Sequence, residues 1–338
     1  MIEIRGIDIL SIDDYVDIVR NVWALNHHRR KVTDYAMHVL DHASKLGEAI
    51  RLEDLDEIFC HLAEVSNWLF GFVAKLNDEK INYEKIFNIP TKLSDMVWYK
   101  YPNLCPVCFK RNLISLLSSK KIESINEKDV TNIGTEIEGK CLCLKYYPET
   151  EHRSYEDKKI LKDNLLTYAM GKISSKPTTL GQTESMFHKI YSSNTAIQTL
   201  ESIGFHLLEE VGEMARAIMD LYTERNEDKT CEEKVMDLCD EIADTFSWIC
   251  TLTAKLHELF KSRDSLHDKI SDKLNSIFAG FGASFEERTL SYKIAKNIRL
   301  EMAILLRYLD TGSMKYKCPY CNKIVCECEL KFAWEKSN

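Results

Sequence analysis

Along most of the chain, apolar residues recur at three- and four-residue intervals, the period of an α-helix with one buried face. The pattern predicts helices over residues 13–27, 32–52, 54–77, 155–172, 186–223, 231–262, 264–279 and 284–309. Alternating, strand-like runs are confined to short stretches beside cysteines, such as "KIVCECEL" at 323–330. The polar stretch "KYYPETEHRSYED" (145–157) joins two halves, and "SSKPTTLGQTES" (174–185) has the Ser, Thr, Pro and Gly content of a flexible connection. The long insert between Cys108 and Cys141 shows no clear job. The expected fold class is all-α.

The same order of features occurs twice. With Trp68 set on Trp248, Ala63 falls on Ala243, Glu64 on Asp244, and Ala74-Lys75-Leu76 on Ala254-Lys255-Leu256. Upstream, "SKLGEAIR" (44–51) matches "EEVGEMAR" (209–216), with Gly47 on Gly212 and Glu48 on Glu213. Each half then carries a CPxC pair and a CxC pair. Shared order together with a matched Trp and Gly-Glu reads as an internal duplication. The expected domains are a helical lobe over 1–150 and a second over 151–338.

The second half concentrates acid on two helical faces. Glu209, Glu210 and Glu213 cluster within "HLLEEVGEMARAI", where residues three and four apart are neighbours. In "KVMDLCDEIADTFSW", Asp237, Asp240, Glu241 and Asp244 recur at offsets of three, four and seven, opposite an apolar face of Val235, Leu238, Ile242, Phe246 and Ile249. If these helices pack antiparallel, seven carboxylates converge, which is costly unless cations occupy the site. Oxygen ligands alone suit hard divalent ions such as Mg²⁺, the usual partner of substrate phosphates.

The balance of 45% hydrophobic and 29% charged residues is that of a globular chain, and no apolar run reaches membrane-spanning length. The acidic N-terminal stretch lacks the basic-then-apolar order of a signal peptide, so a cytoplasmic location is expected. A net charge of −8 argues against a protein that coats nucleic acid or an anionic membrane. Twelve cysteines in a reducing compartment need a reason other than disulfides. Eight form two groups: Cys105, Cys108, Cys141 and Cys143, then Cys318, Cys321, Cys326 and Cys328. Four thiolates suit a closed, structural, tetrahedral Zn²⁺ site, so two zinc elements are expected, with exchange of ligands between the groups left open. Cys60, Cys231, Cys239 and Cys250 stand singly and read as small buried hydrophobes.

Glu209-Glu210-x-x-Glu213 followed by Glu241-x-x-Asp244 resembles the EExxE…ExxD signature of the MazG-like, all-α nucleoside triphosphate pyrophosphohydrolases, a superfamily that includes the dimeric dUTPases. The flanks "LLEEVGEMARAI" and "DEIADTFSWI" are similar too, and the resemblance covers about residues 186–262. It implies Mg²⁺- or Mn²⁺-dependent cleavage of a nucleoside triphosphate to monophosphate and pyrophosphate. It also implies Glu210, Glu213, Glu241 and Asp244 as metal ligands and Glu209 as the group that orients or deprotonates water, with Glu209 and Glu210 interchangeable in that role. Asp237 and Asp240 are outer-shell or solvated candidates. The first half departs from the pattern, with Ser44 and Lys45 under Glu209 and Glu210, and Cys60 and His61 under Asp240 and Glu241. It is expected to be a degenerate lobe and built-in partner in an intramolecular pseudo-dimer, with a homo-oligomer left open. Its basic run His27-His28-Arg29-Arg30-Lys31 reads either as phosphate contacts or as an exposed helix end. His38, His42 and His61 read as satisfied or solvated side chains in preference to a second metal site. The rival reading is a non-catalytic nucleotide sensor or zinc-stabilised scaffold.

Overall fold

The computed structural model describes residues 11–23, 27, 29–78, 92–120, 126–141, 143, 155–223 and 228–261, with the pairs 309–310 and 315–316. The regular structure of the described residues is helical apart from those pairs, an antiparallel two-strand ladder of β1 (Leu309–Asp310) and β2 (Lys315–Tyr316). The sequence-predicted helix over 264–279, all but the last residue of 284–309, and the cysteine group at 318–328 lie outside the described residues. No helix among the described residues is long and apolar enough to cross a membrane.

Helix α1 (Ile12–Val22) starts at a capping box in which Ser11 Oγ accepts from Asp14 N while Asp14 accepts from Ser11 N. Helices α2 (Val32–Arg51) and α3 (Leu55–Asp78) form a hairpin, and α1 packs against α3. The chain then adds α4 (Leu93–Lys100), α5 (Pro106–Lys120), α6 (Glu127–Ile137) and α7 (Tyr155–Gly171). A second three-helix unit follows: α8 (Leu180–Ile197), α9 (Leu200–Thr223) and α10 (Asp228–Lys261), with α9 and α10 paired and α8 packed on α10.

Three features differ from the sequence expectation. The insert after Cys108 is helical, forming α5 and α6, and α6 begins where Asn126 Oδ1 accepts from Asp129 N. The expected flexible stretch 174–185 contains the start of α8, where Thr179 Oγ1 accepts from Gln182 N and Gln182 Oε1 from Thr178 N. The expected helix 186–223 is two helices: α8 ends at Ile197, and Thr199 Oγ1 accepts from Ser202 N to begin α9. An unbroken apolar period hid this break, because both helices keep their apolar faces toward one core.

The two hairpins meet through α2 and α9, where small residues permit close approach. A Cβ on Gly204 would lie 2.9 Å from Ile50 Cδ1, and one on Gly47 would lie 3.2 Å from Leu208 Cδ1. Leu207, Val211, Met214 and Ile218 line the buried stripe of α9. Burying each such side chain contributes about 1.5–3 kcal/mol, so this face fixes the rotation of α9 and hence where its acids emerge. Phe70 and Phe187 both pack on Phe246, joining the units through one aromatic centre.

Similar interactions occur in both units. Lys75 donates to His27 O at 2.7 Å and Lys255 donates to Thr195 O at 2.7 Å, both buried. Trp68 stacks on His38 at 4.0 Å, and Trp248 stacks on His206 at 4.6 Å.

Candidate functional site

The site is assembled where α4 packs on α10, which is paired with α9. Helix α4 is short, and tertiary contacts hold it along its length. Ser94 donates from Oγ and N to Asp13 of α1, Lys176 pairs with Asp95, and Trp98 Nε1 donates to Ala169 O of α7 at 3.0 Å. The C-terminal end of α4 is thereby pressed against α10. There Lys100 Nζ pairs with Asp244 Oδ2 and donates to Asp240 O at 3.2 Å, while Tyr101 Oη donates to Asp244 Oδ1.

Ligand oxygens of Glu210, Glu241 and Asp244 lie within 4.8 Å of one another. Trp248 Nε1 donates to Glu210 Oε1 at 3.2 Å, but Glu241 Oε2 is buried with no hydrogen-bond partner. Burial, reinforced by the charge of Asp244, raises Glu210 to about 7. Burial raises Glu241 to about 8, with Asp244, Glu213 and Glu210 adding to it against the pull of Lys100. One ammonium thus faces three carboxylates, an incomplete compensation that a divalent cation would complete. The all-oxygen donor set and the orphaned Glu241 oxygen fit Mg²⁺ or Mn²⁺.

The other sequence-singled acids separate from this cluster. Glu213 is exposed on α9, close enough for its charge to raise Glu210 and Glu241. Glu209 is exposed, and its Oε2 lies 3.3 Å from His206 Nδ1. Lys162 of α7 takes Asp237 at 3.3 Å and Asp240 at 2.8 Å, so these two carboxylates are bound by protein. Convergence of all seven carboxylates is therefore replaced by a core of three.

A cavity of about 800 Å³ opens beside the acids, within the range of small-molecule sites. Glu210, Asp244 and Lys100 line it, as do His206, Trp248 and Tyr191. Asn194 and Gln198, at the end of α8, also line it, and their side-chain carbonyl oxygens are buried without hydrogen-bond partners. Lys110 of α5 adds a second cation.

Of the basic run, His27, Arg29, Arg30 and Lys31 do not line this cavity. His27 is buried and meets the Tyr35 hydroxyl at 2.5 Å, burial lowers its pKa to about 4, and the Arg30 guanidinium lies 4.7 Å from the Trp68 ring centroid. His28 lies outside the described residues. Sequence reading missed Lys100, Tyr101, Lys110, Asn194 and Gln198. The only local signal for the first pair was a short apolar stretch ending in Lys-Tyr-Pro.

The cavity's other wall is the first cysteine group. Sulfurs of Cys105, Cys108, Cys141 and Cys143 lie within 4.8 Å of one another, with Cys143 at 3.5 Å from both Cys105 and Cys108. Cys105 precedes α5 and Cys108 sits in its first turn, while Gly139, at φ +67°, turns the chain after α6 and donates its N–H to Asn103 O at 2.7 Å. That turn brings Cys141 and Cys143 back to the first pair. Asn194 Nδ2 donates to Cys141 Sγ at 3.4 Å. Four convergent thiols, one already receiving an N–H, fit tetrahedral zinc. Cys239 and Cys250 are buried as expected of small hydrophobes, Cys60 is half-buried, and the side chain of Cys231 lies outside the described residues.

Among protein-family models, that of the MazG nucleotide pyrophosphohydrolase domain matches residues 198–276, a segment containing all of α9 and α10. No curated protein and no solved structure matches the chain.

Proposed function

We propose that this chain is a metal-dependent nucleoside triphosphate pyrophosphohydrolase with its reaction centre at Glu210, Glu241 and Asp244. The observation that carries the reading is the half-buried three-carboxylate cluster, with its orphaned Glu241 oxygen, inside the segment similar to the MazG domain. Mg²⁺ or Mn²⁺ held by these residues, with Glu213 at the margin, supplies charge neutralisation for the triphosphate and a more acidic water. Lys100 stays charged, because the carboxylates of Asp244 and Asp240 outweigh its burial, and so holds Asp244 oriented through the reaction. Lys110 is assigned to the phosphate tail. Glu209, held by His206 at the cavity, is assigned to orient the attacking water and take its proton as the α–β anhydride bond breaks and pyrophosphate leaves. Trp248 and Tyr191 offer ring faces for a base, and Asn194 Oδ1 and Gln198 Oε1 offer acceptors for its N–H groups.

The Cys105, Cys108, Cys141 and Cys143 group is assigned a structural zinc that stiffens the cavity wall, and the group at Cys318, Cys321, Cys326 and Cys328 a second. The two three-helix units are read as a tandem duplication within domains 1–150 and 151–338. The matched Lys75 and Lys255 bonds support this. In that reading the first unit is the built-in partner against which the catalytic unit packs. A panel of ribo- and deoxyribonucleoside triphosphates, followed by phosphorus NMR, tests the function. Equimolar monophosphate and pyrophosphate are expected. Nucleotide binding without turnover would favour the sensor reading instead.

A further inference from the structure

The first unit has its own cluster of metal-ligating side chains, of a different chemical class. On α3, His61 stands at the position matched to Glu241, Cys60 at that of Asp240, and Glu64 at that of Asp244. Helix α2 brings His42 onto the same face, and His42 Nδ1 lies 3.3 Å from His61 Nδ1. Two imidazole nitrogens on one tetrahedral zinc, each bonded at about 2.0–2.1 Å, stand about 3.3 Å apart. The far nitrogen of His61, Nε2, lies 3.2 Å from Glu57 Oε2, the carboxylate-to-imidazole contact that orients a metal-bound histidine. Ligand atoms of Glu57, Cys60 and His61 fall within 4.8 Å of one another.

The surroundings suit a partly dehydrated ion. Glu64 is 1% exposed and its charge acts on the His42 ring, while the Trp68 indole lies nearly parallel to that ring at 6.3 Å. Lys45, matched to Glu210, pairs with Asp41 at 2.7 Å and is half exposed, so its charge, which also acts on His42, is partly neutralised and screened.

We propose that the first unit binds a borderline-soft divalent metal, zinc in class, through His42 Nδ1 and His61 Nδ1, with Glu57 as the positioning residue behind His61. Imidazole and thiol donors favour zinc over magnesium, so replacing carboxylates by His and Cys changes the metal that the platform accepts. The competing arrangement is a direct Nδ1–H···Nδ1 hydrogen bond between the histidines, which gives the same separation. The proposal does not depend on catalysis, since its readout is metal uptake.

The test is equilibrium dialysis of the full chain against buffered free Zn²⁺, with bound zinc counted by atomic emission. Wild type is expected to hold one zinc more than His42→Ala/His61→Ala, and Glu57→Gln to bind that zinc about 10- to 100-fold more weakly. His42→Gln serves as the milder variant, and its helical circular dichroism is checked beside wild type. A wild-type stoichiometry in a folded His42→Gln or double variant overturns the proposal, as does wild-type affinity in Glu57→Gln together with unchanged stoichiometry in both histidine variants.

Discussion

Lys100→Met probes how the acidic cluster is held together. Lys100 and Asp244 each have side chains 17% exposed, between a surface ion pair worth at most about 1 kcal/mol and a buried pair whose breakage costs about 3–5 kcal/mol. Methionine keeps most of the apolar stem, so the loss is chiefly that of the charge. Asp244 keeps the Tyr101 hydroxyl, which places the expected cost in metal-free protein at about 2–3 kcal/mol. At about 2 °C per kcal/mol for a chain of this size, melting should fall by about 4–6 °C. Mg²⁺ should then stabilise the variant more than wild type, because the ammonium that competes for Asp244 is gone. The assay is thermal melting by circular dichroism, with chelator and across a Mg²⁺ series. A metal-free variant that melts with wild type, or a Mg²⁺ shift no larger than that of wild type, would refute the reasoning.

Three further outcomes follow from the site. Glu213→Gln should lower pyrophosphate release at least tenfold while helical content and melting hold, because an exposed carboxylate contributes charge to the site and little packing; unchanged turnover would remove Glu213 from the site. Cys105→Ser should lose one zinc per chain by atomic emission and melt earlier, since structural zinc binding is coupled to folding; full zinc content would mean that the four thiols are not its ligands. Glu210 and Glu241 have folded pKa values of about 7 and about 8, above the ordinary 4.5. An acid raised in the folded state contributes stability that is complete below the ordinary value and is lost as pH rises through the folded one. Metal-free protein should therefore lose melting temperature between about pH 4.5 and 8 and level off above, and Mg²⁺ binding at pH 7 should release protons, seen as a buffer-dependent enthalpy; a flat profile and no proton release would contradict the desolvation of these acids.

The acidic helices were legible because their information is local. Carboxylates at three- and four-residue spacing opposite an apolar stripe fix both helix and face; that register singled out seven acids, and the family resemblance chose Glu210, Glu213, Glu241 and Asp244 among them. Lys100 and Tyr101 were not legible, because they act across more than a hundred residues of sequence from an eight-residue helix held by Asp13, Lys176 and Ala169. Asp237 and Asp240 share the spacing of the cluster, yet Lys162 of α7 takes them both, a pairing no periodicity contains. The break at Gln198–Thr199 was masked by continuous amphipathicity, although a Thr cap stood in the sequence. Helix α6 had its signal in the sequence, Asn126 as cap followed by Val130, Ile133 and Ile137 at three- and four-residue spacing, but the face on which it packs required the fold. Clustering of the first four cysteines was legible from their pairing, whereas their place in the cavity wall required the fold.

The central claim is that Glu210, Glu241 and Asp244 form the catalytic metal platform. The most direct measurement is pyrophosphate release across a Mg²⁺ series for wild type and Glu241→Gln, with the best nucleotide of the panel. Glutamine keeps the size of the half-buried side chain but removes the carboxylate oxygen left without a partner. The expected result is saturable Mg²⁺-dependent release by wild type and a loss of at least a hundredfold in the variant, with its fold intact. Equal release by both proteins, or release that ignores Mg²⁺, would contradict the account.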